Sequence, residues 1–182
     1  QVFMKMPDVR RGSLRDAIAQ ANTLGGADSI SFSIAGAGPH TISLMSALGQ
    51  ISEQVDIDGT TEPDFAGTPI VVLNGSGAGG AIGLDVVSAS SVKVRGLVIQ
   101  NFSGAGISVN SGTGPVIEGC YIGTNLAGTI AAPNLGGGVV LTSTNAGTIG
   151  GTTAAARNVI SGNGAQGVQL QSFANGALIQ GN

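Results

Sequence analysis

Short apolar segments closed by glycine recur in this chain, and they constrain its fold more than any other sequence feature. The segment VISGN at residues 159–163 returns as LIQGN at residues 178–182, and between them residues 167–170 form an alternating strand entered through glycine. Each segment is too short to bury a face alone, and Gly and Asn readily adopt the positive φ of a tight corner. The pattern predicts a solenoid, in which one core runs along a stack of coils.

Two series of apolar pairs extend this repeat toward the middle of the chain. In the first series each pair closely follows a glycine, and alternation predicts that both side chains point inward. This series is Ile82/Leu84, Ile107/Val109, Val139/Leu141 and Val168/Leu170. The second series is Val98-Ile99, Val116-Ile117, Val159-Ile160 and Leu178-Ile179. Short strands recurring once per coil of about 20 to 30 residues predict a parallel β-helix rather than a hairpin-built barrel or sandwich.

The residues before the repeats predict one helix. In the lead-in, residues 1–11, the alternation of Val2, Met4 and Met6 predicts a strand that Pro7 ends. The helix is expected from Ser13 to about residue 24, because Ser13 and the acid three residues later resemble a capping box and a glycine pair follows. Its apolar face consists of Leu14, Ala17, Ile18 and Ala21. We expect this helix to cover the open end of the first coil rather than to bind a partner.

Several alternating segments between the helix and the repeats predict further strands. The residues expected to face the core are Ile30, Phe32, Ile34, Ile42, Leu44, Val55 and Ile57. In the strand at residues 54–59 this alternation points Asp56 and Asp58 outward. A fuller apolar run at residues 69–73 predicts one more strand before a glycine-rich loop.

Composition indicates an ordered, strand-rich protein. Of the 182 residues 42% are hydrophobic, 9% are charged and 32 are Gly, without the Gly-X-Y period of collagen. Aromatic residues are only 3%, so the core has to be built from Ile, Val and Leu. We divide the chain into a lead-in and capping helix, residues 1–27, and a β-helix, residues 28–182. Because residue 182 falls within a repeat, we expect the β-helix to continue beyond it or to meet another molecule end-on.

Charge and hydropathy exclude some functions and favour a location. The formal net charge is −3, whereas nucleic-acid binding requires a basic stripe. Residues 119–182 carry a single charge, Arg157, and such an uncharged polar surface is typical of secreted proteins. No apolar run is long enough to span a bilayer. The first five residues lack the apolar core of a signal peptide, so we expect any signal to have been removed or to lie outside this sequence.

Successive motifs resemble one protein group. They are GSLRDAIAQAN, ADSISFSI, VDIDGTTEPDFAGTPIVVLNGS, VRGLVIQNFSGAGISV, VIEGCYIGTNLAGT and TIGGTTAAARNVISGNGAQGVQL. They resemble the bacterial right-handed parallel β-helix proteins of pectate-lyase-like shape that carry a Ser-Leu-Arg-Glu-Ala type N-terminal motif. The resemblance begins at Gly12, which lacks the preceding Cys of some members, and Asp16 stands where Glu or Gln is usual. It implies an exported, repeat-rich surface or extracellular protein of a group mostly without an assigned activity.

Four acids form the best candidate metal site. Asp56, Asp58, Glu62 and Asp64 fall within nine residues of one another, and the turn at residues 59–61 could bring Glu62 back toward the first two. Oxygen ligands at this density suit Ca²⁺. The alternative is that Asp58-Gly59 serves as turn chemistry and that the other acids are solvated.

Candidate catalytic groups are scattered along the sequence. A hydrolase needs two facing carboxylates, and a lyase needs acids beside a basic residue. Glu118 and Asp85 are isolated in sequence, and Lys93, Arg95 and Arg157 fall in different coils without nearby carboxylates. The aromatic residues available as sugar platforms are Tyr121, Phe102 and Phe173, of which we expect the two Phe residues to fill junctions between loops and coils. We therefore assign no catalytic residue.

The single histidine and the single cysteine are both expected to be structural. His40 follows a proline at the start of a strand, and we expect it to be exposed or to act as a cap. Cys120 takes the position after glycine that Asn fills in two other repeats, so it is expected to lie inside or beside the coil as a small residue. A disulfide within the chain is excluded by the single cysteine.

These observations favour a structural or adhesive module of an exported bacterial protein, a rigid β-helical rod at the cell surface or outside the cell. The alternative is a carbohydrate-active enzyme, a polysaccharide lyase or glycoside hydrolase, or a glycan-binding derivative of one. Expected partners are other β-helix coils meeting end-on or cell-surface glycans, without nucleic acid. No cofactor is expected other than Ca²⁺ at the four acids.

Overall fold

The computed structural model describes residues 2–4 and 11–182, so Met6 and Pro7 of the expected lead-in strand lie outside the described residues. The described residues form one helix, α1 (Leu14–Ala21), two 3₁₀ helices (Gly59–Thr61 and Ala154–Ala156) and seventeen strands. The strands are β1 (Val2–Met4), β2 (Arg11–Gly12), β3 (Asp28–Phe32), β4 (His40–Ser43), β5 (Val55–Asp58), β6 (Val71–Asn74), β7 (Leu84–Val87), β8 (Lys93–Arg95), β9 (Leu97–Gln100), β10 (Ile107–Asn110), β11 (Val116–Glu118), β12 (Tyr121–Ile122), β13 (Val139–Thr142), β14 (Thr148–Gly150), β15 (Val159–Ile160), β16 (Val168–Gln171) and β17 (Leu178–Gln180).

Three sheets account for all these strands. Sheet 1 has the order β2-β1-β3-β5-β8-β11-β14-β17, sheet 2 the order β4-β6-β9-β12-β15 and sheet 3 the order β7-β10-β13-β16. From β6 onward the chain visits sheets 2, 3 and 1 in turn, so neighbours within a sheet are separated by one full circuit of the chain. Every pairing among β3–β17 is parallel, whereas β1 pairs antiparallel with β2 and β3 at the edge of sheet 1. The fold is therefore mostly β, with three parallel sheets.

Strand register pairs aliphatic residues with aliphatic residues on neighbouring strands of each sheet. In sheet 3, Ile107 pairs with Val139 and Val109 pairs with Leu141, and all four side chains are at most 1% exposed. The buried side chains form one hydrophobic cluster that extends from Leu14 to Ile149. Branched aliphatic side chains suit this arrangement because they pack well on a pleated surface that is covered on one side.

Helix α1 packs its apolar face into that cluster beside β1–β3, and its capping box and buried face confirm the sequence prediction. The Ser13 hydroxyl accepts a hydrogen bond from the Asp16 backbone N–H, and the Asp16 carboxylate accepts one from the Ser13 backbone. The buried face consists of Leu14, Ala17, Ile18 and Ala21. The helix ends at Ala21 rather than near residue 24, because Asn22 acts as its C-cap. Among the described residues, no helix has the length and apolarity that crossing a membrane requires.

The two predicted series of apolar pairs differ from the structure in one strand register and one sheet assignment. Ile107 pairs with Leu84 and Val109 with Val86, so the first inward pair is Leu84/Val86 and not Ile82/Leu84. The glycine that directly precedes the strand is Gly83, three residues after Gly80, the glycine that Ile82 follows. The second series joins strands from two sheets, because β9 and β15 lie in sheet 2 whereas β11 and β17 lie in sheet 1.

Candidate functional site

A groove forms where the chain passes from sheet 1 to sheet 2, because these connections differ in length from one circuit of the chain to the next. Residues 59–70 connect β5 to β6 and residues 151–158 connect β14 to β15, whereas Gly96 alone connects β8 to β9 and residues 119–120 connect β11 to β12. Two long loops therefore flank two short corners. The strands from which the two long loops leave, β5 and β14, are three strand spacings apart in sheet 1, about 14 Å. We call the depression between them the corner groove.

The two short corners form the floor of the corner groove, and each requires a glycine, Gly96 in one and Gly119 in the other. Gly96 has φ +66°, and a Cβ there would lie 2.6 Å from Thr60 Cγ2 and 2.9 Å from the Thr60 backbone nitrogen. Gly119 has φ +61°, and its Cβ would lie 2.7 Å from the Ala155 carbonyl oxygen. Both positions combine a left-handed backbone with close approach of a neighbouring loop, which side chains do not tolerate. The two glycines thus allow the long loops at residues 59–70 and 151–158, which form the walls of the groove, to pack directly against the short corners.

Each wall begins with a capped 3₁₀ helix. Asp58 caps the first helix, accepting hydrogen bonds from the Thr60 backbone N–H at 2.9 Å and from the Thr60 hydroxyl at 2.6 Å. Thr153 caps the second, accepting from the Ala156 backbone N–H at 3.3 Å. Short polar side chains at these positions satisfy backbone donors that a first turn leaves without partners. A single capping residue in the local sequence, Asp58 or Thr153, therefore stabilises the first turn of each wall.

The corner groove has a volume of about 380 Å³ and a mixed lining. Arg95 and Glu118 lie on the sheet 1 side, Tyr121 on the sheet 2 side, and Arg157 at the end of the second wall. The remaining lining residues are Thr60, Phe65, Gly67, Pro69, Gly96, Gly119, Thr153, Ala154, Ala155, Ala156 and Val159. The groove thus offers two guanidinium groups, one carboxylate, a phenol and apolar surface.

Beside the groove, the outer face of sheet 1 carries a patch of paired charges, which we call the charged face. It consists of Asp56, Asp58, Lys93, Arg95 and Glu118 on the adjacent strands β5, β8 and β11. The Arg95 guanidinium lies 2.8 Å from Asp58 Oδ2 and 3.1 Å from Asp56 Oδ2. Lys93 Nζ lies 3.1 Å from Glu118 Oε1. Strand register thus gives Glu118, Lys93 and Arg95 the partners that they lack in sequence.

Asp56 on the charged face has a perturbed acidity. Burial raises its pKa above the ordinary value; Arg95 opposes this effect, Asp58 and Glu118 add to it, and Lys93 opposes it. Within the described chain, Asp56 Oδ1 and Arg95 Nε are buried and have no hydrogen-bond partner. Burial therefore destabilises the Asp56 anion by more than Arg95 and Lys93 stabilise it.

The four acids predicted to bind calcium are divided among three locations. Asp56 and Asp58 share Arg95, but Asp58 is buried and does not face solvent as expected. Glu62 accepts a hydrogen bond from the Ile34 backbone N–H at 3.0 Å, and Asp64 accepts one from Gly38 at 2.8 Å. Among the described residues, no group of three or more His, Cys, Asp and Glu side chains is arranged to hold a metal ion. A calcium site at the four acids stays a prediction.

Two structural expectations for single residues are wrong. His40 is buried, because Glu62, the residue after the first 3₁₀ helix, lies against it with Oε1 3.6 Å from His40 Nε2. Phe173 is 85% exposed, whereas Phe102 is buried as expected, filling the junction between β9 and β10. Of the three aromatic residues considered as sugar platforms, Tyr121 is the one that lines the corner groove.

Cys120 is buried inside the corner, as the sequence predicted. Its backbone N–H donates to Asn158 Oδ1, and the Asn158 amide donates to Asn182 Oδ1 at 2.8 Å in the next coil. The three residues thus form one column along the stack. Burial raises the pKa of the Cys120 thiol to about 12, which keeps it protonated and unreactive at neutral pH.

Sequence reasoning missed the corner groove, although a signal was present. The charged residues occupy alternate positions in DID at residues 56–58 and in KVR at residues 93–95, which places each pair on one face of a strand. Stacking these segments in register would have paired their charges. The groove itself depends on the different lengths of the loops that connect sheet 1 to sheet 2. These loops can be compared only after every strand has been assigned to its sheet.

No family model matches this chain, and searches of curated proteins and of solved structures find no match either.

Proposed function

We propose that the chain is a right-handed parallel β-helix that serves as a rigid structural or adhesive module of an exported bacterial protein. The observation that carries the proposal is the repeated circuit through sheets 2, 3 and 1 with neighbouring coils in register around one aliphatic cluster. Connections between parallel strands of one sheet are right-handed in nearly all proteins, which favours the proposed hand. The resemblance of the motifs from Gly12 onward to bacterial β-helix proteins agrees with this interpretation.

The surface composition supports the proposed location. Beyond residue 118 the charge is confined to Arg157, and the outer positions of sheet 3 on β13 and β16 are Val140, Thr142, Gln169 and Gln171. A neutral polar exterior of this kind suits a protein outside the cytosol. In the adhesive role the expected partners are further β-helix coils meeting end-on or cell-surface glycans.

Two measurements test this proposal. Hydrogen exchange of the intact chain should show slow exchange throughout β6–β13, because a module without local hinges opens cooperatively. Protease treatment of intact producing cells should remove the protein from their surface, or the protein should be found in the medium. Rapid exchange within β9–β12 would contradict a rigid module, and recovery only from the cytosol would contradict export.

A carbohydrate-active protein is the second candidate, favoured by the charged face. Three carboxylates and two basic residues lie together next to a groove, the combination that a lyase or hydrolase requires. Incubation with acidic and neutral polysaccharides tests it, since hydrolysis releases reducing ends and elimination creates an unsaturated product that absorbs ultraviolet light. Product formation that Asp56→Asn abolishes would support this candidate, and absence of product from every polysaccharide would contradict it.

Calcium is part of that second candidate. If Asp56, Asp58, Glu62 and Asp64 bind Ca²⁺, a chelator should lower the melting temperature of the chain by removing a ligand of the folded state. An unchanged melting temperature with and without chelator would contradict a stabilising calcium site at these acids.

A further inference from the structure

We propose that the corner groove binds a saccharide unit that carries one anionic group, and that Arg157 holds this group. The groove volume of about 380 Å³ lies at the lower end of the range for small-ligand sites, so it suits one or two sugar rings. Its walls begin with capped 3₁₀ helices that pack against the glycines of its floor, so the cavity is present in the chain without a ligand. This inference rests on the second candidate function, a carbohydrate-active protein, and does not require the scaffold role.

Arg157 is the cation available to a ligand. Its side chain is exposed and lines the groove, and no ion pair among the described residues includes it. The second guanidinium, of Arg95, already contacts Asp56 and Asp58, and Glu118 is paired with Lys93. Among the described residues that line the groove, Arg157 is therefore the one cation without an ion-pair partner. A planar guanidinium binds a carboxylate or a sulfate through two parallel hydrogen bonds.

The rest of the lining suits a sugar ring. Tyr121 is half-buried and lines the groove together with Phe65 and Pro69, so the lining includes aromatic and apolar side chains. The Thr60 hydroxyl donates to Asp58 and keeps lone pairs that accept from a ligand hydroxyl. Aromatic surface with a few fixed polar groups is the usual lining of a small-molecule site.

Two other ligand classes fit the groove less well. An extended peptide that added a strand would need free backbone donors, but the backbone N–H groups of Gly96 and Gly119 already donate to Glu118 and Ala156. A polyphosphate chain would meet the carboxylates of the charged face and a chain of formal net charge −3. A single anionic group on an otherwise neutral sugar avoids both difficulties.

Calorimetric titration of the full chain tests the proposal with three disaccharide probes: one ending in glucuronic acid, one carrying a single sulfate, and a neutral one. A carboxylated and a sulfated sugar present the same monoanion to Arg157, and the first two probes distinguish them. We expect a Kd of about 1 mM or tighter for at least one anionic probe, and binding of the neutral probe at least about tenfold weaker.

Variants of two arginines separate the local effect from overall charge. Arg157→Gln should weaken anionic binding at least about tenfold and remove the preference over the neutral probe, since a charge-assisted bidentate contact is lost. Arg15→Gln removes the same charge far from the groove, where Arg15 bonds Ser46 and Ala47, and should leave binding unchanged. Arg157→Lys keeps the charge without the planar fork and should bind with intermediate affinity.

Three results would overturn the proposal. They are absence of binding to either anionic probe, equal binding of the neutral and anionic probes, and equal weakening by Arg157→Gln and Arg15→Gln. Thermal melting of each variant shows whether it is folded, and the exposed position of Arg157 predicts melting close to that of the wild type. A wild-type chain that keeps slow hydrogen exchange but binds no probe would overturn this inference alone and leave the scaffold proposal standing.

Discussion

The corners between sheets 1 and 2 are of two kinds, and they differ in what they contribute. At Gly96 and at residues 119–120 the chain turns with one or two residues, and neighbouring loops press against the backbone. At residues 59–70 and 151–158 the chain leaves the sheet, forms a capped 3₁₀ helix and returns. Short corners keep the neighbouring strands of sheets 1 and 2 closely packed, whereas long corners bring polar side chains to the surface. A groove results wherever short corners lie between long ones.

The largest effect is expected from a side chain on the groove floor. Gly96→Ala should lower the free energy of unfolding by about 2–5 kcal/mol, combining the strain of a left-handed L-residue with steric overlap. Urea denaturation followed by circular dichroism measures it.

Gly79→Ala is the matched control for that substitution. Gly79 has φ +69°, close to the +66° of Gly96, but nothing lies within 4 Å of its would-be Cβ. It should cost only about 1–2 kcal/mol, the conformational part alone. Equal losses for the two variants would show that close approach at the short corner contributes nothing.

The next largest effect concerns the cap of the first long corner. Asp58→Ala removes the acceptor of two Thr60 hydrogen bonds and a buried partner of Arg95, and should cost about 2–3 kcal/mol. Asp56→Ala removes only the more exposed partner and should cost less than about 1 kcal/mol. Chemical denaturation of both variants compares them, and an Asp56 loss as large as that of Asp58 would contradict the assigned capping role.

A smaller effect is expected at the second long corner. Thr153→Ala removes the cap of the 3₁₀ helix at residues 154–156 and should cost about 0.5–1 kcal/mol. Thr153→Ser keeps the capping oxygen and should restore most of this loss in the same denaturation experiment. Failure of serine to restore stability would show that the Thr153 methyl group, not its hydroxyl, matters.

The smallest effect is a pH dependence carried by Asp56. Because burial raises its pKa in the folded state, the folded chain binds more protons there than the unfolded chain, so its contribution to stability falls as pH rises. The stability of the wild type relative to Asp56→Asn should therefore decrease from about pH 3 to about pH 7. An increase over this range would show that Arg95 dominates and lowers the pKa instead.

Sequence patterns predicted the strands well because each strand has its own local signal. The alternation of Ile30 and Phe32 and the capping box at Ser13 depend only on neighbouring residues, and both are confirmed. The pairing of strands is different. Val98-Ile99 and Val116-Ile117 look alike, yet they lie in different sheets, since short apolar pairs carry no label for the sheet they join.

Side-chain environments were the least predictable part. His40 was expected to be exposed or to act as a cap, because nothing near it in sequence indicates that Glu62 lies against it. The ion pairs of Arg95 and Lys93 join residues from different coils and follow from strand register alone. Long-range register therefore determines the candidate site, whereas local patterns determine the strands.

In-register parallel stacking is the central claim, and a cysteine cross-link tests it most directly. Ser108 on β10 pairs with Val140 on β13, on the outer face of sheet 3, at an expected separation of about 4.8 Å. The double variant Ser108→Cys/Val140→Cys should form a disulfide on mild oxidation, because this separation suits disulfide geometry. The shifted pair Ser108→Cys/Thr142→Cys should oxidise far less. Preferential cross-linking of the shifted pair, or of neither pair, would contradict the account.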